Sequence, residues 1–180
     1  MMPEKVIASK QVYQGRRIGL RVDTVMMPSG RQTMREVAEY PNCVAVVALD
    51  TDSSVVLVRQ YRHPVGKELL EVPAGGVDPG EEPRDTALRE LEEETGYRAG
   101  KMERIGGAYT APGYSTEFMH LFLATDLEPG SSRVEEDEII EVVPVPLKRI
   151  RGLIKSGEIC DGKSIIGLLT LLASLEKRKA

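Results

Sequence analysis

The sequence predicts an α/β protein: an α/β/α sandwich around a mixed sheet, with a small antiparallel β lobe at its N-terminal side. Three observations predict it. Residues Lys5 to Tyr40 alternate and are punctuated by turns, Cys43 to Leu49 is an unbroken apolar run of strand length, and helical patterns at 84–95, 147–156 and 164–176 are interleaved with further strand patterns. A length of 180 residues suits one domain with a full core and a short extra lobe. The lobe is assigned to residues 1–40 and the main domain to 41–180.

Within the lobe, turns are expected at Gln14-Gly15 and at Met27-Pro28-Ser29-Gly30, around the alternating stretch Leu20 to Val25. Cys43–Leu49 and Val55–Val58, separated by the turn residues Asp50 to Ser54, should form a central hairpin. Arg84 to Thr95 reads as a helix: Pro83 suits the first turn, Glu81 and Glu82 favour the positive end of the dipole, and Gly96 supplies the stop. Its apolar side is Ala87, Leu88 and Leu91. Strands follow at Met102–Tyr109, Glu117–Thr125 and Ile139–Val145, where Pro144 and Pro146 should end the pairing. A short helix at Leu147–Ser156 and a longer one at Ser164–Glu176 complete the set. The latter carries Ile165, Ile166, Leu168, Leu169, Leu172 and Leu175, read as core packing.

Composition excludes several function classes. The net charge of −4 opposes a main partner that is a nucleic acid or an anionic membrane, since both need a basic field. Cys43 and Cys160 lack metal-type spacing and form no disulfide framework, so a reducing cytoplasm is expected. Met1 to Lys10 has no signal-like apolar stretch, and no run approaches the roughly 20 apolar residues of a membrane span. A soluble protein is expected. His63 and His120 sit far from any serine or cysteine motif, which leaves little for a nucleophilic triad. With no tryptophan, clamping adenine between two indoles is excluded.

The chemistry concentrates between Gly75 and Gly96. Glu90, Glu93 and Glu94 are spaced i, i+3, i+4 and therefore project from one side of the helix, beside the stripe that Ala87 and Leu91 bury. Carboxylates about 4 Å apart repel by several kcal/mol at an effective dielectric of about 20. A hard divalent cation offsets that repulsion, and Mg²⁺ typically takes a few carboxylates plus waters and phosphate oxygens. Glutamate runs are more often solvated helix faces, and Glu92, on another side, is read that way. Arg89 argues against that reading for the rest, because a guanidinium can lock Glu93 or Glu81 through two parallel bonds and fix the ligand geometry. Gly75, Gly76 and Gly80 would let the preceding loop fold tightly.

These residues form the pattern Gly-x5-Glu-x7-Arg-Glu-Leu-x-Glu-Glu-x-Gly, a match too specific to be accidental at this composition. The pattern resembles the Nudix box. The flanking segments Val58 to Arg62, Glu68 to Gly75 and Ala111 to Glu117 resemble the ADP-ribose pyrophosphatase branch of that family, as does Pro112, fifteen residues past Tyr97. The box departs from the usual pattern at Tyr97, where an aliphatic residue is common, and Asn42-Cys43 stands where relatives carry small residues.

The resemblance implies a Nudix-type sandwich and a metal site of Glu90, Glu93, Glu94 and the carbonyl of Ala74, holding Mg²⁺ with Mn²⁺ as a substitute. It implies a general base from the acidic cluster Glu135 to Glu138, with Glu138 favoured and Glu136 next. Substrate contacts fall to Arg35, Glu36, Arg59, Arg62, Glu71 and Glu117. Arg35 and Arg62 also suit phosphates or an adenine plane by their chemistry, and Tyr13 or Tyr40 could stack on a base. The lobe resembles a segment exchanged across a two-fold homodimer. The implied reaction is Mg²⁺-dependent hydrolysis of ADP-ribose to AMP and ribose 5-phosphate. The alternatives are the same chemistry on a nucleotide sugar, NADH, FAD or a diadenosine polyphosphate, or a non-catalytic nucleotide-binding regulatory module.

Overall fold

The computed structural model describes residues 4–130 and 139–177, so Glu136 and Glu138 lie outside the described residues. The chain forms two compact units. One comprises the chain up to Asn42 together with Tyr109–Phe118, the other Cys43–Ala108 together with the chain from Met119 onward.

In the first unit β1 (Lys5–Gln14), β2 (Gly19–Met26) and β3 (Gln32–Glu39) form an antiparallel sheet with β2 in the middle. Both expected turns close by backbone bonds, Gly15 N–H to Ile18 O at 2.8 Å and Gly30 N–H to Met27 O at 2.9 Å, the second with Gly30 at φ 82°. The central strand buries Asp23, whose carboxylate accepts from Ser9 Oγ at 2.6 Å and Arg21 Nε at 3.1 Å, as a buried charge requires. Residues 109–118 attach to β3 through Ala38 N–H to Tyr114 O and Thr116 N–H to Ala38 O.

The second unit is built on a seven-stranded sheet. Its main path runs β10 (Ile140–Pro146), β5 (Ser54–Arg62), β4 (Cys43–Leu49), β9 (Phe118–Pro129), β8 (Tyr97–Tyr109), with β6 (Lys67–Glu71) on β5 and β7 (Ala74–Gly76) on β4. The β4–β9 pair is parallel and the β4–β5, β4–β7, β5–β6 and β5–β10 pairs are antiparallel, which makes the sheet mixed as expected. The apolar run of β4 is buried on both faces, because alternate side chains feed two cores. Val44, Val46 and Ala48 pack with Ala87 and Leu91 of α1 (Pro83–Thr95). Ala45 and Val47 pack with Ile150 and Leu153 of α2 (Ile150–Ser156) and Leu168 and Leu171 of α3 (Gly162–Lys177). A sheet covered by α1 on one face and by α2 and α3 on the other is the predicted sandwich. Among the described residues no helix is long and apolar enough to cross a membrane.

The structure corrects several expectations. The hairpin of β4 and β5 pairs only at Ala48 with Val56 and Leu49 with Val55. The rest of β4 pairs with β9 and β7 instead, because a strand buried on both faces needs neighbours along both edges. Pro144 and Pro146 do not end pairing: β10 stays in register with β5 through Pro146 opposite Ser54. An edge strand tolerates proline because the missing N–H need not serve a second neighbour. On α3, Ile166 and Leu169 are 41% and 40% exposed, so the packed stripe is narrower than six apolar residues suggested.

Candidate functional site

Arg89 organises the box. Its Nε and Nη2 each donate to one oxygen of Glu81 at 3.1 Å, while Nη1 donates to Glu90 at 2.8 Å and to Glu93 at 2.9 Å. The two partners offered by the sequence as alternatives are both engaged, and Glu90 is a third. The guanidinium holds the Glu81 carboxyl down to about 2, from an ordinary value of 4.5, mainly through this two-point bond and against the opposing effect of burial. Glu92 points elsewhere, as expected, but is not simply solvated: it accepts from Arg98 Nε at 2.8 Å.

Two box carboxylates rest on the backbone of β7. Glu94, buried, accepts from the Ala74 N–H at 3.1 Å. Glu90 lies over Gly75 so closely that a Cβ there would stand 2.0 Å from its carboxyl carbon. This contact explains the first box glycine, which sits in a strand and adopts no left-handed conformation. Among the expected loop glycines only Gly80, at φ 86°, needs the freedom of glycine. Gly96 caps α1 at φ 72°, its N–H donating to Glu92 O at 2.8 Å.

The donor set around Ala74 and Gly75 consists of carboxylate and backbone oxygens, which suits a hard divalent cation. Among the described residues no three His, Cys, Asp or Glu side chains gather into a ready metal cage. A cation of the Mg²⁺ kind does not require one, since one or two carboxylates with waters and substrate oxygens fill its shell. Glu90 and Glu93 converge on the same Nη1 of Arg89, at 2.8 and 2.9 Å, and the guanidinium charge offsets their mutual repulsion.

The residues assigned to substrate fall in both units. In the first, Arg35 and Glu36 are exposed on β3, with Arg35 paired to Glu4 at 2.6 Å, and Glu117 accepts from Thr110 Oγ1 at 2.6 Å. In the second, Arg59 stands 3.7 Å from both Glu141 and Glu158. Arg62 donates through Nε and Nη2 to Glu71, the shorter contact being 2.6 Å. Glu71 is only 1% exposed and also accepts from Lys163 Nζ at 2.7 Å; that lysine in turn donates to Asp161 at 2.9 Å. Sequence reading missed Lys163, which lies 92 residues from Glu71, and with it Asp161, which pairs with that lysine; neither matches a motif. A cavity of about 330 Å³ bounded by Glu82, Arg84, Arg104, His120 and Phe122 is lined by none of Glu81, Glu90, Glu93 and Glu94.

A model of the NUDIX domain matches residues 39–165. An ADP-ribose pyrophosphatase of Bacillus subtilis (strain 168) is 40% identical to the chain, covering 99% of it and 98% of the relative. A methanol dehydrogenase activator of Bacillus methanolicus is 39% identical over 93% of the chain and 92% of its own length. A solved structure described as an ADP compounds hydrolase has the same fold, with a TM-score of 0.90 at 23% identity over 99% of this chain and 97% of that one. With the box geometry in place and a family match across most of its length, the chain belongs to the NUDIX family.

Proposed function

We propose that this protein hydrolyses the diphosphate of ADP-ribose, giving AMP and ribose 5-phosphate, with Mg²⁺ or, in its stead, Mn²⁺. The observation that carries this reading is the placement of the Glu90 and Glu94 carboxylates on the Ala74–Gly75 backbone, braced by Arg89. The likeness in sequence to a full-length ADP-ribose pyrophosphatase supports the choice of substrate. Glu90 and Glu94, with Glu93 and the Ala74 carbonyl, would hold the cation, which when bound offsets the charge that grows on the transferring phosphoryl group. Arg89 fixes the carboxylates so that they need no reorganisation during reaction. Glu138, or Glu136, takes the proton of the attacking water; both lie outside the described residues. Arg62 and Arg59 face the diphosphate with Glu71 behind Arg62, while Arg35, Glu36 and Glu117 hold the nucleoside and ribose ends. The protein works as a homodimer in which the lobe of one copy lends Arg35 and Glu36 to the other. The ten-residue strand β1, exposed along its whole length and carrying Val6, Ile7, Val12 and Tyr13, supports that assembly.

The likeness to the methanol dehydrogenase activator favours a second reading, in which the chain raises the activity of a dehydrogenase. One assay tests the first. Purified protein is given ADP-ribose, a nucleotide sugar, NADH, FAD and a diadenosine polyphosphate, with Mg²⁺ or with EDTA, and AMP release is followed. Fast, EDTA-sensitive cleavage favouring ADP-ribose is expected. Preference for another compound overturns the substrate, and silence on every compound overturns the hydrolase reading.

A further inference from the structure

The first turn of α3 reaches across to the end of β6. Lys163 Nζ donates to Glu71 Oε2 at 2.7 Å and to Asp161 Oδ1 at 2.9 Å, and the neighbouring Ser164 Oγ accepts from the buried Val72 N–H at 2.9 Å. Arg62 Nη2 meets the same Glu71 Oε2 at 2.6 Å. The result is a row of alternating charges, Arg62, Glu71, Lys163 and Asp161, with Glu71 and Lys163 largely withdrawn from water and Arg62 about one third exposed.

Glu71 is therefore shared by two cations. Were it neutralised by Arg62 alone, the guanidinium would be tied to a buried carboxylate and its attraction for any other anion spent there. Because Lys163 shares Glu71, and Asp161 balances Lys163, the four charges cancel and the row places no net negative charge behind the exposed end of Arg62. Asp161 is committed to this arrangement. Its Oδ1 also accepts from the Ser164 N–H at 3.1 Å, and its buried Oδ2 has no hydrogen-bond partner among the described residues.

We infer that Lys163 is a positioning residue for substrate binding: by sharing Glu71 it offsets the negative charge beside Arg62 that would otherwise oppose the diphosphate of the substrate. This rests on the reading above, in which Arg62 faces that diphosphate. Without Lys163 the row carries one uncompensated negative charge, which opposes an anionic ligand at Arg62. The effect acts on binding and leaves the Glu90–Glu94 carboxylates untouched, so it separates KM from kcat.

The test compares Lys163→Met and Lys163→Arg with the unaltered protein, using ADP-ribose and the same panel of compounds at saturating Mg²⁺, after thermal melting has shown each variant folded at the assay temperature. Lys163→Met should raise KM about tenfold with kcat within about twofold, a change of roughly 1.4 kcal/mol in binding, and Lys163→Arg should restore most of it. Should Lys163→Met fail to fold, Lys163→Gln takes its place, with the same tenfold rise expected. An unchanged KM in the methionine or glutamine variant of an otherwise active protein overturns this inference alone, as does a loss confined to kcat. An unaltered protein that cleaves none of the compounds overturns the hydrolase reading and this inference with it.

Discussion

The guanidinium of Arg89 meets Glu81, Glu90 and Glu93 at once, and each contact has a different consequence. The two-point bond to Glu81 ties the loop before α1 to the helix, whereas the bonds to Glu90 and Glu93 restrain the carboxylates proposed to face the cation. Because the Glu81 carboxyl is depressed to about 2 from 4.5, its bond contributes stability that is fully present above about pH 4.5 and disappears as pH falls towards 2. Arg89 stays charged throughout that window. Arg89→Gln should therefore be less stable than the unaltered protein at neutral pH, with a difference that narrows steadily between pH 4.5 and 2. Urea midpoints taken at pH 7, 4.5 and 3 would check this, and a difference that stays constant across the three would show that Glu81 is not what Arg89 stabilises.

At the scale of elements, α1 and β7 form one functional object. Gly75 lets the helix carboxylate of Glu90 lie on the strand; an added methyl would overlap a flexible side-chain end and not backbone, so the side chain can swing away at small cost to the fold. Gly75→Ala should accordingly melt within a few degrees of the unaltered protein yet bind Mn²⁺ at least about tenfold more weakly, as followed by electron paramagnetic resonance of the free ion. Equal Mn²⁺ affinity would remove Glu90 from the cation site. The carboxylate spacing on α1 was legible in the sequence because i, i+3, i+4 fixes a helix face whatever surrounds it. The strand beneath it was not. β6 and β7 are five and three residues long, and their pairing with β5 and β4 is set by tertiary contacts that leave no local periodicity. For the same reason Glu71 could be named from its flanking motif while the partner that completes it, Lys163, could not. The apolar run of α3 gave the helix correctly and its exposed side wrongly, since Ile166 and Leu169 carry the same hydrophobicity as their packed neighbours and only the approach of β4 to Gly167 decides which face is covered.

For the whole molecule the decisive question is what covers β1. A ten-residue edge strand with every residue exposed presents unpaired backbone groups along one side and leaves Val6, Ile7, Val12 and Tyr13 each about half or more exposed. Soluble proteins normally blunt such an edge or pair it. The charges present on it, Lys5 and Lys10, are few for ten residues. Pairing with a second copy satisfies both the edge and the apolar side chains and gives the lobe a partner to complete. Sedimentation of the unaltered protein should thus give twice the 19.8 kDa of the chain. The double substitution Val6→Lys, Val12→Lys, which places like charges opposite one another in a two-fold pair, should shift it to the single mass without unfolding the second unit, whose core lies in other residues. If Arg35 and Glu36 serve the other copy as proposed, hydrolysis of ADP-ribose should fall with the dimer. A dimer that survives both lysines places the interface elsewhere, and a monomer that keeps full activity means that each copy completes its own pocket.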